Sequence, residues 1–129
     1  TLIPDQTKPI NANFRHGNLA NSDFSGSDLR HSDLSNANFA NSDFSGANLS
    51  KSNCYNANFR YANLRDSNLT ETNFYNANLY DVNLRHAKII KTSFRYANLS
   101  NSTLNGAKIK DAIFSTAFTE NCHGLKISD

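Results

Sequence analysis

The sequence repeats every five residues, and few folds tolerate that period. From Phe14 onward every fifth residue reads Phe14, Leu19, Phe24, Leu29, Leu34, Phe39 and so on to Phe114. Of these 21 consecutive slots, 20 hold Leu, Phe or Ile, and the exception is Cys54. Two residues before each slot stands a small residue, from Ala12 and Gly17 to Ala112, with Val82 the largest. The residue between is Asn in 12 slots and Asp in four. Five residues advance an α-helix about 140° beyond a full turn, so the apolar positions would spiral around the rod. On a flat strand an odd spacing sends successive apolar residues to opposite faces. A chain that turns a corner every five residues meets both constraints. The small residue and the large apolar residue point inward, the Asn points outward, and the last two residues make the bend.

The runs Ala37-Asn38-Phe39-Ala40-Asn41 and Ala62-Asn63-Leu64-Arg65-Asp66 carry the pattern Ala-Asn/Asp-Leu/Phe-x-x. In this the chain resembles the pentapeptide-repeat family over residues 12–116. The resemblance implies an all-β fold, a right-handed quadrilateral parallel β-helix with four repeats per coil. Twenty-one repeats then make about five coils, roughly 25 Å long at ~4.8 Å per coil. Residues 20 apart would stack, giving interior ladders such as Phe14–Leu34–Cys54–Phe74–Phe94–Phe114. Stacking between neighbouring coils, rather than one conventional core, holds such a fold together. The expected organisation is an N-terminal cap over residues 1–11, the solenoid over 12–116, and a C-terminal cap or tail over 117–129. After Phe114 the pattern slips, because Ala117-Phe118 arrives one residue early. Residues 109–118 could then cover the end of the tube or mediate end-to-end self-association.

The fifth residue of each repeat falls at the third position of a β-turn, where type II turns favour Gly or Asn. One corner column of the repeats has neither: His31, Lys51, Glu71, Lys91 and Asp111. That predicts type I turns in this column and a mixture of types I and II elsewhere.

A filled tube leaves only its outer skin for recognition, which argues against catalysis, since ligand sites are concave. The sequence offers no nucleophile with a base at useful spacing, no phosphate loop, and no Cys or second His at ligand spacing from His16, His31, His86 or His123. No enzyme activity, small-molecule substrate, cofactor or metal is expected. Cys54 fills a core slot and lies about three coils from Cys122, too far for a disulfide unless the tail folds back. The net charge of +2 is too small to indicate nucleic acid. The charge is uneven, however. Residues 1–50 hold five acids and three bases, whereas residues 51–129 hold six acids and ten bases, with Lys88, Lys91, Lys108 and Lys110 on one late face.

The candidate partner site is aromatic and cationic. Outward positions on the later coils bring together Tyr55, Tyr75 and Arg95, then Arg60 and Tyr80, then Arg65 and Arg85, with Tyr61 and Tyr96 at nearby corners. Tyr and Arg anchor interfaces more often than other residues, and Arg over Tyr adds cation–π attraction. Ordinary cross-strand laddering on a solvated sheet would look the same in sequence. The function expected is a protein-interaction or scaffold module with an unknown protein partner. The family resemblance adds two alternatives, a DNA-like inhibitor of a type II topoisomerase and a structural or stress-related protein. The first needs an acidic surface, which the net charge of +2 opposes. No stretch is apolar enough for membrane insertion. The compartment stays open between the cytoplasm and, if an export signal preceded Thr1, the periplasm or thylakoid lumen.

Overall fold

A computed structural model describes residues 10–126. Nearly all of the expected cap over residues 1–11 lies outside the described residues. The rest forms one continuous parallel ladder. Asn13 bridges Asp33, Asp33 bridges Asn53 and Asn53 bridges Asn73, and the other three sides repeat the step of 20 residues. Each coil therefore has four sides of five residues. On each side the middle N–H donates to the preceding coil, as Asn58 does to the Ala37 carbonyl at 2.9 Å. The following N–H donates to the next coil, as Phe59 does to Asn78 at 2.7 Å.

The interior is filled by its own side chains. Phe39, Phe44, Phe59, Leu64, Phe74 and Phe94 are wholly buried. Rings 20 residues apart stack nearly parallel: Phe74 on Phe94 at 5.4 Å, and Phe94 on Phe114 at 4.9 Å. The small residues beside them are mostly Ala, Ser or Thr, and buried hydroxyls among them are satisfied internally. Thr72 Oγ1 donates to the Leu49 carbonyl at 2.7 Å, and Thr92 Oγ1 to the Leu69 carbonyl at 2.7 Å. Among the described residues no buried side-chain nitrogen or oxygen lacks a partner. Both cysteines are free, and burial pushes the Cys54 thiol up to about 12.

The corners overturn the expected turn types. His31, Lys51, Glu71, Lys91 and Asp111 all have positive φ, as do the other non-glycine corner residues but one, with values from 54° to 62°. The reason is the ladder. Types I and II differ by a flip of the central peptide, and here that peptide is part of the ladder: Lys51 N–H donates to Thr70 O at 2.9 Å, and Glu71 N–H to Ile90 O at 2.8 Å. A type I corner would break a bond on each side of that peptide, about 1 kcal/mol each when made and more when left unpaired. The left-handed conformation costs about 1–2 kcal/mol. Stacking geometry wins over residue preference. Thr116 is the exception, with no positive φ. A β-branched residue is especially disfavoured there, and its Oγ1 instead accepts the Tyr96 N–H at 3.1 Å.

Glu71 sits between Lys51 and Lys91 yet forms no ion pair within 4 Å among the described residues. Glu71→Asn keeps the backbone and relieves the left-handed penalty, so it is expected to stabilise the protein by about 0.5–1 kcal/mol. An unchanged or lower urea midpoint would contradict this account of the corners.

The outward Asn and Asp residues do more than face water. Their Oδ1 atoms accept the backbone N–H two residues on, as Asn58 does from Arg60 at 3.1 Å and Asn78 from Tyr80 at 3.1 Å. This Asx contact pins the corner. At positions 88 and 108 the residue is Lys. There the chain runs straight as two short parallel strands, β1 (Lys88–Ile90) and β2 (Lys108–Lys110), with Lys88 paired to Lys108.

The expected slip after Phe114 is a slip of side-chain type and not of backbone register. Asn98 bridges Phe118 and Thr103 bridges His123, still 20 residues apart. Phe118 thus occupies the outward position of its side, 62% exposed. It lies on the flank of the tube rather than on its end.

Candidate functional site

The side of the solenoid whose outward residues are Asn58, Asn78, Asn98 and Phe118 is bordered by two corner columns. One column carries Tyr55, Tyr75, Arg95 and Tyr96, and the other carries Arg60, Tyr61 and Tyr80. Arg65 and Arg85 stand at the next corner. The result is a strip of amides edged by tyrosines, and backbone periodicity alone places each member.

Contacts within the strip differ in detail from the expected ladders. Tyr55 stacks on Tyr75, with centroids 5.8 Å apart and an interplanar angle of 30°. Tyr75 meets Tyr96 edge-on at 5.3 Å, in place of an Arg95 contact. Arg60 does not reach Tyr80. Its guanidinium lies 5.2 Å from the centroid of the Tyr61 ring, and its Nη2 donates to the Tyr61 hydroxyl at 3.3 Å. Tyr61 in turn meets Tyr80 edge-on at 5.9 Å, and the Tyr80 hydroxyl accepts from Asn101 Nδ2 at 2.7 Å. Arg65 forms a loose, exposed pair with Asp66 at 3.6 Å, of the kind worth under about 1 kcal/mol. Among the described residues Arg85 and Arg95 have no ion pair and no ring contact. His86 lies against Gly106, where an added methyl group would collide with the imidazole. Gly106 also has φ of +76°, so two constraints favour glycine at that corner.

Tyr55, Tyr61, Tyr75 and Tyr96 are each between 38% and 50% exposed. Sequence reasoning missed one member of this group. Phe118 shares a shallow surface depression with Tyr75, Asn76 and Tyr96. A larger open cleft of about 720 Å³ adds Asn78, Asn98, Ser100 and Glu120 to its walls. The available signal was the period itself, since counting 20 from Asn98 reaches Phe118. Among the described residues no group of three or more His, Cys, Asp or Glu is gathered in a way that could hold a metal ion.

A closed parallel coil with four five-residue sides and a self-filled interior defines a β-solenoid whose chemistry is confined to its outer faces. The chain belongs to the pentapeptide-repeat family: residues 37–114 match its pentapeptide repeat region, and residues 10–46 match the family described as pentapeptide repeats (8 copies). No curated protein sequence matches the chain. Among solved structures, it resembles HetL, a pentapeptide repeat protein involved in heterocyst differentiation regulation from the cyanobacterium Nostoc. That match has 28% identity and a TM-score of 0.60, and covers 74% of this chain but only 42% of HetL. It also resembles a pentapeptide repeat protein of the Arabidopsis thaliana thylakoid lumen, with 27% identity, a TM-score of 0.57, and 81% of this chain and 66% of that one covered. Rfr23 from the cyanobacterium Cyanothece shares the fold at 24% identity and a TM-score of 0.59, covering 89% of each chain.

Proposed function

We propose that this right-handed solenoid is a non-catalytic protein-interaction module whose partner docks across the asparagine strip between the tyrosine edges. The observation that carries the reading is the continuous set of exposed rings, Tyr55, Tyr75, Tyr96 and Phe118, beside the unpaired Arg95. Singly exposed apolar residues are common. Four on adjoining coils of one flank are not explained by stability, because the interior is already complete without them. Asn78 and Asn98 use Oδ1 to pin their corners, leaving Nδ2 donors that could orient a partner. The likeness to HetL, described as involved in a regulatory process, is in keeping with a binding role. Basic later coils oppose an inhibitor that works by resembling DNA.

The test is capture of partners from native lysate by wild type and by Tyr75→Ser/Tyr96→Ser/Phe118→Ser. A single anchor of this type contributes about 2 kcal/mol, which alone is roughly thirty-fold in affinity, so the triple variant is expected to lose captured partner by more than that. Its melting temperature should stay within a few degrees, since the rings lie outside the core. Equal capture by both proteins would reject the strip as the docking face.

A further inference from the structure

A second face breaks the repeat's own rule at a visible cost. On the side carrying Asp28, Asn48 and Asn68 the outward residue pins its corner through Oδ1: Arg30 N–H to Asp28, Ser50 N–H to Asn48 and Thr70 N–H to Asn68. On the last two coils of that side the residues are Lys88 and Lys108. Neither can accept a hydrogen bond. The turn bond from the third residue on to the apolar carbonyl, made for instance by Thr72 to Leu69, is absent after both Ile89 and Ile109, although it is also absent after Leu19 and Leu79 on other sides. The two lysines are also direct register partners in β1 and β2, and like charges directly opposite each other destabilise a sheet. Lys91 and Lys110 stand on one bordering corner and Arg85 on the other. All four lysines are exposed. Among the described residues none of the five cations has an ion pair, and Asp111 is the one carboxylate on these two coils of the face.

Two lost corner contacts and a forced Lys–Lys pairing bring the fold nothing in return, which marks the face as functional. We propose that this lysine face binds the surface of an anionic lipid bilayer peripherally, through headgroup phosphates. The face is a flat sheet side, so its cations can meet a planar layer of phosphates together, whereas a duplex would present a curved ridge to only some of them. On its last two coils the face carries none of the large apolar residues exposed among the described residues, which are Ile10, four tyrosines and Phe118. A protein partner would therefore find no anchor there. Lysine, a compact charge on a flexible stem, suits mobile headgroups better than a shaped ligand. Insertion is not involved, for among the described residues no helix is long and apolar enough to cross a membrane.

The experiment is co-sedimentation of the whole protein with vesicles of phosphatidylcholine alone and of phosphatidylcholine mixed with phosphatidylglycerol, at low and at physiological salt. Wild type should bind the anionic vesicles, weaken with salt and ignore the neutral ones. Lys88→Asn/Lys108→Asn restores both corner acceptors, so it should fold at least as stably as wild type. It should bind anionic vesicles roughly thirty-fold more weakly, the loss expected for two lysines at such a surface. Lys91→Gln/Lys110→Gln leaves the outward column untouched and should show a similar loss. The proposal fails if wild type does not bind anionic vesicles at low salt, if it binds neutral vesicles equally, if both double variants bind like wild type, or if duplex DNA binds the same face while vesicles do not.

Discussion

Phe59→Ala is expected to destabilise the protein by about 4 kcal/mol, the middle of the range for truncation of a buried ring. Phe59 is wholly buried at mid-tube. It stacks on Phe39 at 5.3 Å and meets Phe44 at 5.3 Å and Phe74 at 5.7 Å. Removing the ring leaves a void that the ladder cannot collapse, because each coil is fixed above and below by backbone bonds such as Phe59 N–H to Asn78 O at 2.7 Å. Phe59→Leu is expected to cost under about 1.5 kcal/mol, since Leu already fills equivalent slots and volume is largely kept. Phe14→Ala, in a slot that is only half-buried, should cost less than half as much as Phe59→Ala, because the Phe14 ring has less apolar surface out of water to lose. Urea midpoints at constant slope measure all three. A reduced slope for Phe59→Ala would show that the two halves of the tube had uncoupled, which a nearest-neighbour solenoid permits. Equal costs for Phe14→Ala and Phe59→Ala would contradict the stacked-coil account.

What can be read from sequence follows from what a strict period controls. The five-residue spacing determines which side chains share an interior, so Leu64, Phe59 and the ladder from Phe74 to Phe114 are legible without coordinates. It also assigns columns, which is how Tyr55, Tyr75 and Tyr96 fall into one group. It says nothing of how far a long side chain turns, and Arg60 meets Tyr61 rather than Tyr80 by a rotamer the pattern does not encode. Corner conformation at His31, Lys51, Glu71, Lys91 and Asp111 escapes the sequence for a different reason. Residue preference at a turn is a local effect of about 1 kcal/mol, and it is overridden by inter-coil bonds that exist only once neighbouring coils are stacked. The role of asparagine is half legible. Its outward direction follows from alternation, but its acceptor bond to the N–H two residues on depends on a corner geometry that residue preference does not reveal. Phe118 is misleading because an apolar residue at an outward position reads as a break in the repeat. The backbone ladder is indifferent to side-chain type and carries the register straight through it.

Arg30 makes the least exposed ion pair among those of the described residues. Its Nε donates to Asp28 Oδ1 at 2.8 Å and its Nη2 to Asp28 Oδ2 at 2.7 Å, a bidentate pair with side chains only 8% and 18% exposed. The hydrogen bond from the Arg30 side chain holds the Asp28 carboxyl below its usual range, against the opposing effect of burial. Two parallel charge-assisted bonds in a partly dry site are stronger than a surface pair. Removing one partner strands the other, so Arg30→Met is expected to cost about 3 kcal/mol at pH 7. The pH dependence distinguishes the lost pair from lost packing. Because the folded pKa of Asp28 is depressed, the pair's contribution is fully present above the unfolded carboxyl value, about 4, and disappears as pH falls through the lower folded value. The gap between wild type and Arg30→Met should therefore be widest near neutrality and shrink below about pH 4, where Asp28 becomes protonated first in the variant and then in wild type. A change that removed only the aliphatic stem contacts of Arg30 would produce a gap independent of pH. Urea midpoints of the two proteins near neutrality and roughly one unit below the unfolded carboxyl value decide between these outcomes. A gap under about 1 kcal/mol near neutrality, no more than a surface pair contributes, or one that stays constant into acid, would mean that the Asp28–Arg30 bridge does not stabilise the N-terminal coils.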